Sequence, residues 1–143
     1  MENDRLLGDL DDLRAGRTVN CPRYDFSTHT RLATSTPISP HEIVLVEGIL
    51  LYAVPALRDI FDLRLFVDTP DDLRLLRRIK RDLMDRGRAL DDIEDQYLTT
   101  VRPMHERHVA PTRQFAHLVV PDGGHNVKAL DVIVGRLLNP FPR

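Results

Sequence analysis

The stretch RLLRRIKRDLMDRGR, residues 74–88, packs six Arg and one Lys against two Asp, a formal +5. The whole chain is −2, so all other residues together carry −7. Guanidinium groups suit bidentate contact with phosphate oxygens and the charge that develops in phosphoryl transfer. Seven cations this close repel one another unless an anion is near. A solvated helix face with Asp82 and Asp85 as local partners, a nucleic-acid patch and a clamp for a small phosphorylated ligand all fit this composition. The choice of Arg says little, because the chain uses 18 Arg and 2 Lys throughout.

Other candidate groups lie outside this stretch. In CPRYDFSTHTR, Tyr24 and Phe26 offer flat apolar faces and His29 a hydrogen-bonding ring. Such a set can hold a planar heterocycle, or it can pack a hairpin onto a core. Glu47 closes the run IVLVEG. A carboxylate at the tip of a buried strand can serve Mg²⁺ directly or through water; it can equally cap a helix or pair with an arginine. Asp68-Thr69 ends a second apolar run and reads as a helix N-cap. His105 and His108 are spaced i, i+3 without a third ligand nearby, which reads as surface. Cys21 reads as a small packed residue.

The elements that must position these groups follow from hydrophobic spacing. Leu6, Leu7, Leu10 and Leu13 fall on one helix face, with Asn3 or Asp4 able to cap its start and Gly16 its end. Residues 17–40, rich in Pro, Ser and Thr, predict a small β excursion. Residues 43–48 and 63–69 are apolar, β-branched runs that predict strands buried on both faces. A short helix is expected near Val54–Ile60 between them. The Arg stretch predicts a helix over about 70–86 that Gly87 ends. Leu76, Ile79 and Leu83 form its apolar stripe and Arg74, Arg78 and Arg81 another face. A longer helix over 89–109, a strand at 117–121 and a last helix capped by Asn126 complete the chain. Strands alternating with helices predict α/β with a parallel sheet, in which ligands sit beyond the carboxyl ends of the strands.

Composition excludes several classes. At 143 residues the chain predicts a single domain, 1–143, with ordinary apolar and charged content. One cysteine forbids an internal disulfide and fits a reducing, cytoplasmic setting. No run reaches membrane-spanning length. The acidic balance outside the Arg stretch argues against nucleic acid as a partner.

Taken in order, LLGDLDDLRAG, PRYDFSTHTR, IVLVEGILL, LRLFVDTPDDLRLLRRIKRDLMDRGR, QYLTTVRPMHERHVAPTRQFA and VVPDGGHN resemble the uridine kinase (uridine–cytidine kinase) group of the phosphoribulokinase/uridine kinase family. They cover nearly the whole chain. The resemblance implies a partial P-loop-kinase-like parallel sheet with flanking helices and an Arg-rich lid. It implies transfer of the γ-phosphoryl of ATP or GTP to the 5′-hydroxyl of uridine or cytidine, with Mg²⁺, in pyrimidine salvage. Residue by residue, Tyr24, Phe26 and His29 match positions at the pyrimidine base, and Arg78, Arg88 and Gln96 positions that hold the nucleoside. Arg81 and Arg86 match lid arginines facing the transferred phosphate, and Glu47 the acid associated with Mg²⁺.

None of the seven glycines begins a G-x-x-x-x-G-K-[ST] pattern, so the P-loop and its strand are absent from these residues. By the resemblance, the P-loop, the catalytic Asp and an Asp that grips the ribose belong upstream of Met1. The closing turn also departs from the family, with Pro121-Asp122-Gly123 where Pro-Arg-Gly is usual. The chain alone is therefore expected to be inactive and not to bind ATP or GTP by itself. It would act as part of a homo-oligomer or beside a complementing P-loop chain. The alternative is a catalytically dead nucleoside-binding or regulatory subunit of a full-length kinase.

Overall fold

The computed structural model describes residues 3–25 and 30–139, in two compact units that divide between Gly48 and Ile49. In the first, α1 (Asn3–Arg14) precedes a hairpin of β1 (Val19–Asp25) and β2 (Thr30–Ile38). Leu10, Leu13 and Val19 are its buried apolar residues. Gly16 ends α1 at φ +78°, with its N–H on the Leu13 carbonyl and the Arg17 N–H on that of Asp12. That pair of bonds is a Schellman closure, which demands a left-handed residue and is met most cheaply by glycine. Arg5 Nη2 donates to the Asn20 carbonyl at 2.7 Å, tying helix to hairpin. The strands are antiparallel, Val19 opposite Ile38 and Tyr24 opposite Arg31, with an irregular register between Pro22 and Tyr24. The β excursion expected over 17–40 is thus a hairpin.

The run at 43–48 does not form the expected strand. Ile43, Val44 and Leu45 are exposed, Leu45 to 85%. A β-branched run becomes a strand only when a neighbour accepts its backbone hydrogen bonds, and none of the described strands pairs with it.

The second unit begins with a 3₁₀ turn (Leu51–Ala53) and α2 (Pro55–Ile60). Next, β3 (Leu65–Asp68) lies parallel to β4 (Leu118–Pro121), pairing Leu65 with Leu118 and Val67 with Val120. The architecture is α/β, with a parallel pair flanked by helices, as a partial P-loop-kinase-like fold requires. Burial is incomplete, contrary to expectation: Val120 is buried, whereas its register partner Val67, on the same face, is exposed. A pair of strands with so few covering elements is covered at β4 but left open at β3.

Arg64 braces this pair at its start. Its Nε donates to the Phe115 carbonyl and its Nη1 to that of Arg58, both at 2.7 Å. The Arg58 guanidinium stacks 3.8 Å from the Phe115 ring centroid. Leu51, Leu57, Ile93, Val120 and Ile133 form the apolar core.

Between the strands run α3 (Asp71–Met84), α4 (Leu90–Gln96) and α5 (Arg102–His108). The last two form the long helix expected over 89–109, joined by a π turn (Tyr97–Val101). There the Arg102 N–H reaches back five residues to the Tyr97 carbonyl. Pro103 accounts for the turn: its ring would clash with the Thr99 carbonyl in a regular ladder. A 3₁₀ turn (Ala110–Phe115) leads to β4, and another (Gly123–His125) to α6 (Val127–Leu138). Asn126 caps α6, its Oδ1 accepting the Ala129 N–H at 3.0 Å.

The expected packing of α3 is inverted. Leu76 is 61% exposed and Leu83 is exposed too, while Ile79 is half-buried. The one fully buried residue of this helix is Asp82. Among the described residues no helix is long and apolar enough to cross a membrane.

Candidate functional site

Asp71 and Asp72 open α3 and Arg81 stands in its last turn, an arrangement that matches the helix dipole at both ends. Helical spacing then fixes what surrounds Asp82. Arg78 lies one turn before it, Arg81 beside it and Arg86 one turn after, past the helix end. The Arg81 Nε donates to Asp82 Oδ1 at 2.9 Å, and Arg86 Nη1 is 3.4 Å from the same oxygen. Arg78 Nε and Arg88 Nη1 stand 3.6 and 3.9 Å from Oδ2. The Arg88 backbone N–H donates to the Asp82 carbonyl at 3.1 Å, which turns the chain back over the helix end. Four guanidiniums thus surround a carboxylate with no solvent exposure.

Gln96, at the end of α4, completes the group. Its Oε1 accepts from Arg78 Nη2 at 2.7 Å and from Arg88 Nη1 at 2.6 Å. Guanidiniums only donate, so the amide oxygen must face them. The amide NH₂ of Gln96 then faces away from the two guanidiniums. Arg78 is 21% exposed and Arg81 47%. Arg78, Arg88 and Gln96 therefore form an inner set, and Arg81 and Arg86 an outer pair. Burial by itself raises the Asp82 pKa. The Arg81 hydrogen bond and the charges of Arg81, Arg78 and Arg86 outweigh it and hold the carboxyl below its ordinary value.

So α3, its trailing loop and α4 gather all five of the residues expected at the nucleoside and phosphate within this unit. Asp82, expected only as a local partner on a solvated face, is their centre. Its signal in the sequence is an acid with Arg at −4, −1 and +4.

The remaining candidates are placed as follows. Tyr24 lies on β1, half exposed, opposite Arg31. Phe26 and His29 lie outside the described residues. Glu47 is exposed in the run after the hairpin. No group of three or more His, Cys, Asp or Glu gathers among the described residues. Mg²⁺ keeps several waters and needs only one or two carboxylates beside phosphate oxygens, so Glu47 fits as one such ligand. Asp68 pairs with Arg113 at 3.4 Å and does not cap α3, whose N-cap is Pro70. Cys21 is exposed on the hairpin rather than packed, because the cover on its face of β1 reaches Val19 and not two residues further.

His105 is also more than surface. It is half-buried, with Arg74 Nη1 2.7 Å from its Nε2, and Arg74 pairs with Asp71. Burial pushes the His105 pKa down and the Arg74 charge adds to this, against Asp71 and Glu106. A groove of about 560 Å³ lies between α3 and α4, floored by Leu75, Ile79, Ile93 and Tyr97. Acids stand along its edge and none of the five gathered residues lines it, so it is separate from the arginine site.

The closing turn meets the carboxyl end of β3. Gly123 is buried at φ +69°, and a Cβ there would come within 2.8 Å of Thr69 Oγ1. Glycine is thus required twice over, by conformation and by approach.

Arginines fanned over one buried carboxylate, on an α/β frame, gather guanidinium donors of the kind that suit hydroxyl and phosphate oxygens. The chain belongs to the phosphoribulokinase/uridine kinase family, which it matches over residues 1–129. It is 42% identical over 136 residues to a uridine kinase of Clostridium perfringens, covering 95% of this chain and 65% of that protein. It is 45% identical over 137 residues to a uridine kinase of Chloroflexus aurantiacus, covering 96% of this chain and 66% of that protein. A uridine kinase of Streptococcus pyogenes is 45% identical over 136 residues, with 95% and 65% covered. The chain thus spans just under two thirds of the length of these relatives.

Proposed function

We propose that this chain carries the acceptor site and lid of a uridine kinase-type phosphotransferase. The family reaction moves the γ-phosphoryl of ATP or GTP to the 5′-hydroxyl of uridine or cytidine. Tyr24, Phe26 and His29 would take the pyrimidine base, by stacking and an edge hydrogen bond. Arg78, Arg88 and Gln96 would hold the nucleoside, the Gln96 NH₂ donating to one of its oxygens. Arg81 and Arg86, the outer pair, would meet the transferred phosphoryl group and the charge that builds on it. Glu47 would offer one oxygen to Mg²⁺, which supplies charge neutralisation at the phosphates when bound with the nucleotide. The observation that carries this reading is the Arg78–Gln96–Arg88 bond set over Asp82.

Positioning and electrostatics do most of the work in phosphoryl transfer. This chain supplies both for the acceptor side. The 143 residues contain no G-x-x-x-x-G-K-[ST] to cradle the donor phosphates. That observation keeps a second role open, a nucleoside-binding subunit that works beside a full-length kinase.

The test uses the purified chain of residues 1–143. With ATP and Mg²⁺ it should not phosphorylate uridine above background; clear turnover would show that no P-loop is needed. Calorimetry should detect uridine binding, and Tyr24→Ala and Gln96→Ala should each abolish it. Binding that survives both substitutions removes the acceptor-site assignment.

A further inference from the structure

We propose that Asp82 is the positioning residue of the arginine site: its buried carboxylate aims the four guanidiniums that a ligand meets. The proposal rests on the acceptor-site reading above. Asp82 has no solvent exposure and makes no bond outward, so it does not itself touch ligand. Its two oxygens divide the arginines. Oδ1 takes Arg81 Nε at 2.9 Å and Arg86 Nη1 at 3.4 Å; Oδ2 faces Arg78 Nε at 3.6 Å and Arg88 Nη1 at 3.9 Å.

Orientation follows from which nitrogen is held. With its Nε turned inward, Arg81 presents its two terminal NH₂ groups outward, the fork that accepts an oxyanion bidentately. Arg78 likewise turns Nε toward Asp82, which leaves Nη2 for Gln96. One carboxylate thus sets the outer fork and, through Arg78 and Arg88, the Gln96 amide.

The Oδ2 side is slack. Arg78 Nε and Asp82 Oδ2 are both buried and neither makes a hydrogen bond, although they face each other. Closing that gap by under about 1 Å would satisfy both atoms. A ligand that draws on Gln96 and Arg88 would tighten it, so binding and Asp82 contact reinforce each other.

Charge and positioning make opposite demands, which allows a clean test. Four Arg and one Asp sum to +3; Asp82→Asn keeps the shape and raises this to +4. Through charge alone the variant should bind inorganic phosphate more tightly and neutral uridine unchanged. Through positioning it should lose uridine by about tenfold or more, the order of one charged hydrogen bond. We expect that loss, with phosphate binding kept, and partial recovery of uridine binding in Asp82→Glu. Unchanged uridine binding in an Asp82→Asn variant that melts like wild type overturns the proposal. Should the Asn variant not fold, wild type alone decides. In nitrogen-15 spectra the Arg81 Nε–H should exchange slowly with water, and fast exchange overturns the proposal. A wild type that shows the slow Arg81 proton but binds no uridine overturns the acceptor-site reading while supporting the ordering role of Asp82.

Discussion

Two titratable side chains carry opposite charges yet respond to acid in the same direction. His105 is half-buried against Arg74, and burial first, then the Arg74 charge, lowers its pKa against Asp71 and Glu106. Its folded value lies below the unfolded one, so protonation favours the unfolded chain. The stability it carries is intact above the ordinary imidazole range near ~6.5 and drains as pH falls through the lowered folded value. Asp82 behaves alike in a lower window: its stability is present above the ordinary carboxyl range near ~4 and is lost below it. Urea midpoints should therefore fall in two stages on acidification. His105→Gln should flatten the first stage and leave the second, and equal slopes in variant and wild type would refute the assignment. Neither site was legible as such. A helical period counts apolar residues, so it sees Leu76 and Leu83 and passes over an acid whose burial depends on arginines that converge from α3 and the loop behind it. The arginines were visible as a dense run of charge, whereas Gln96 was joined to them only by the family resemblance.

Elements specified by local chemistry form where the sequence places them. Gly16 closes α1 through two backbone bonds, Asn126 caps α6, and Pro103 opens the π turn. Each device acts within a few residues, so no distant contact can overrule it. The run at 43–48 fails for the complementary reason: a strand is made by its neighbour, and hydrophobicity alone cannot supply one. Gly123 stands between these cases. A sequence shows a glycine pair there, but only the fold brings Thr69 Oγ1 to 2.8 Å from where its Cβ would lie. Gly123→Ala should combine a left-handed alanine with a clash and cost about 2–3 kcal/mol. Gly124→Ala, with nothing within 4 Å, serves as its control. Equal urea midpoints for the two variants would show that the turn relaxes freely and does not clamp the end of β3.

For the whole molecule, the balance lies between a small buried core and the large side chains left in water. Among the described residues, eight apolar side chains are buried. Leu45, Ile49, Leu76, Met84, Val132 and Leu138 are all more than half exposed. Single exposed apolar side chains are ordinary, but this many large ones in a chain of 143 residues favour association. The relatives that share the family are about half as long again, since this chain spans 65% of the Clostridium protein. The α/β class was legible in the sequence because it follows from strands alternating with helices, and the arginines were legible as a run of charge. The exposure was not, because an apolar period announces a face to be covered without naming its cover. The isolated chain should therefore self-associate as its concentration rises in steps of about tenfold, and bind a dye that reports exposed apolar surface. Leu45 is the sharpest probe, being 85% exposed in a run without a strand partner. Leu45→Glu should change stability by less than about 0.5 kcal/mol, as surface substitutions do, while shifting sedimentation toward monomer. A wild type that sediments as monomer at every concentration would mean that these side chains are too scattered to act together.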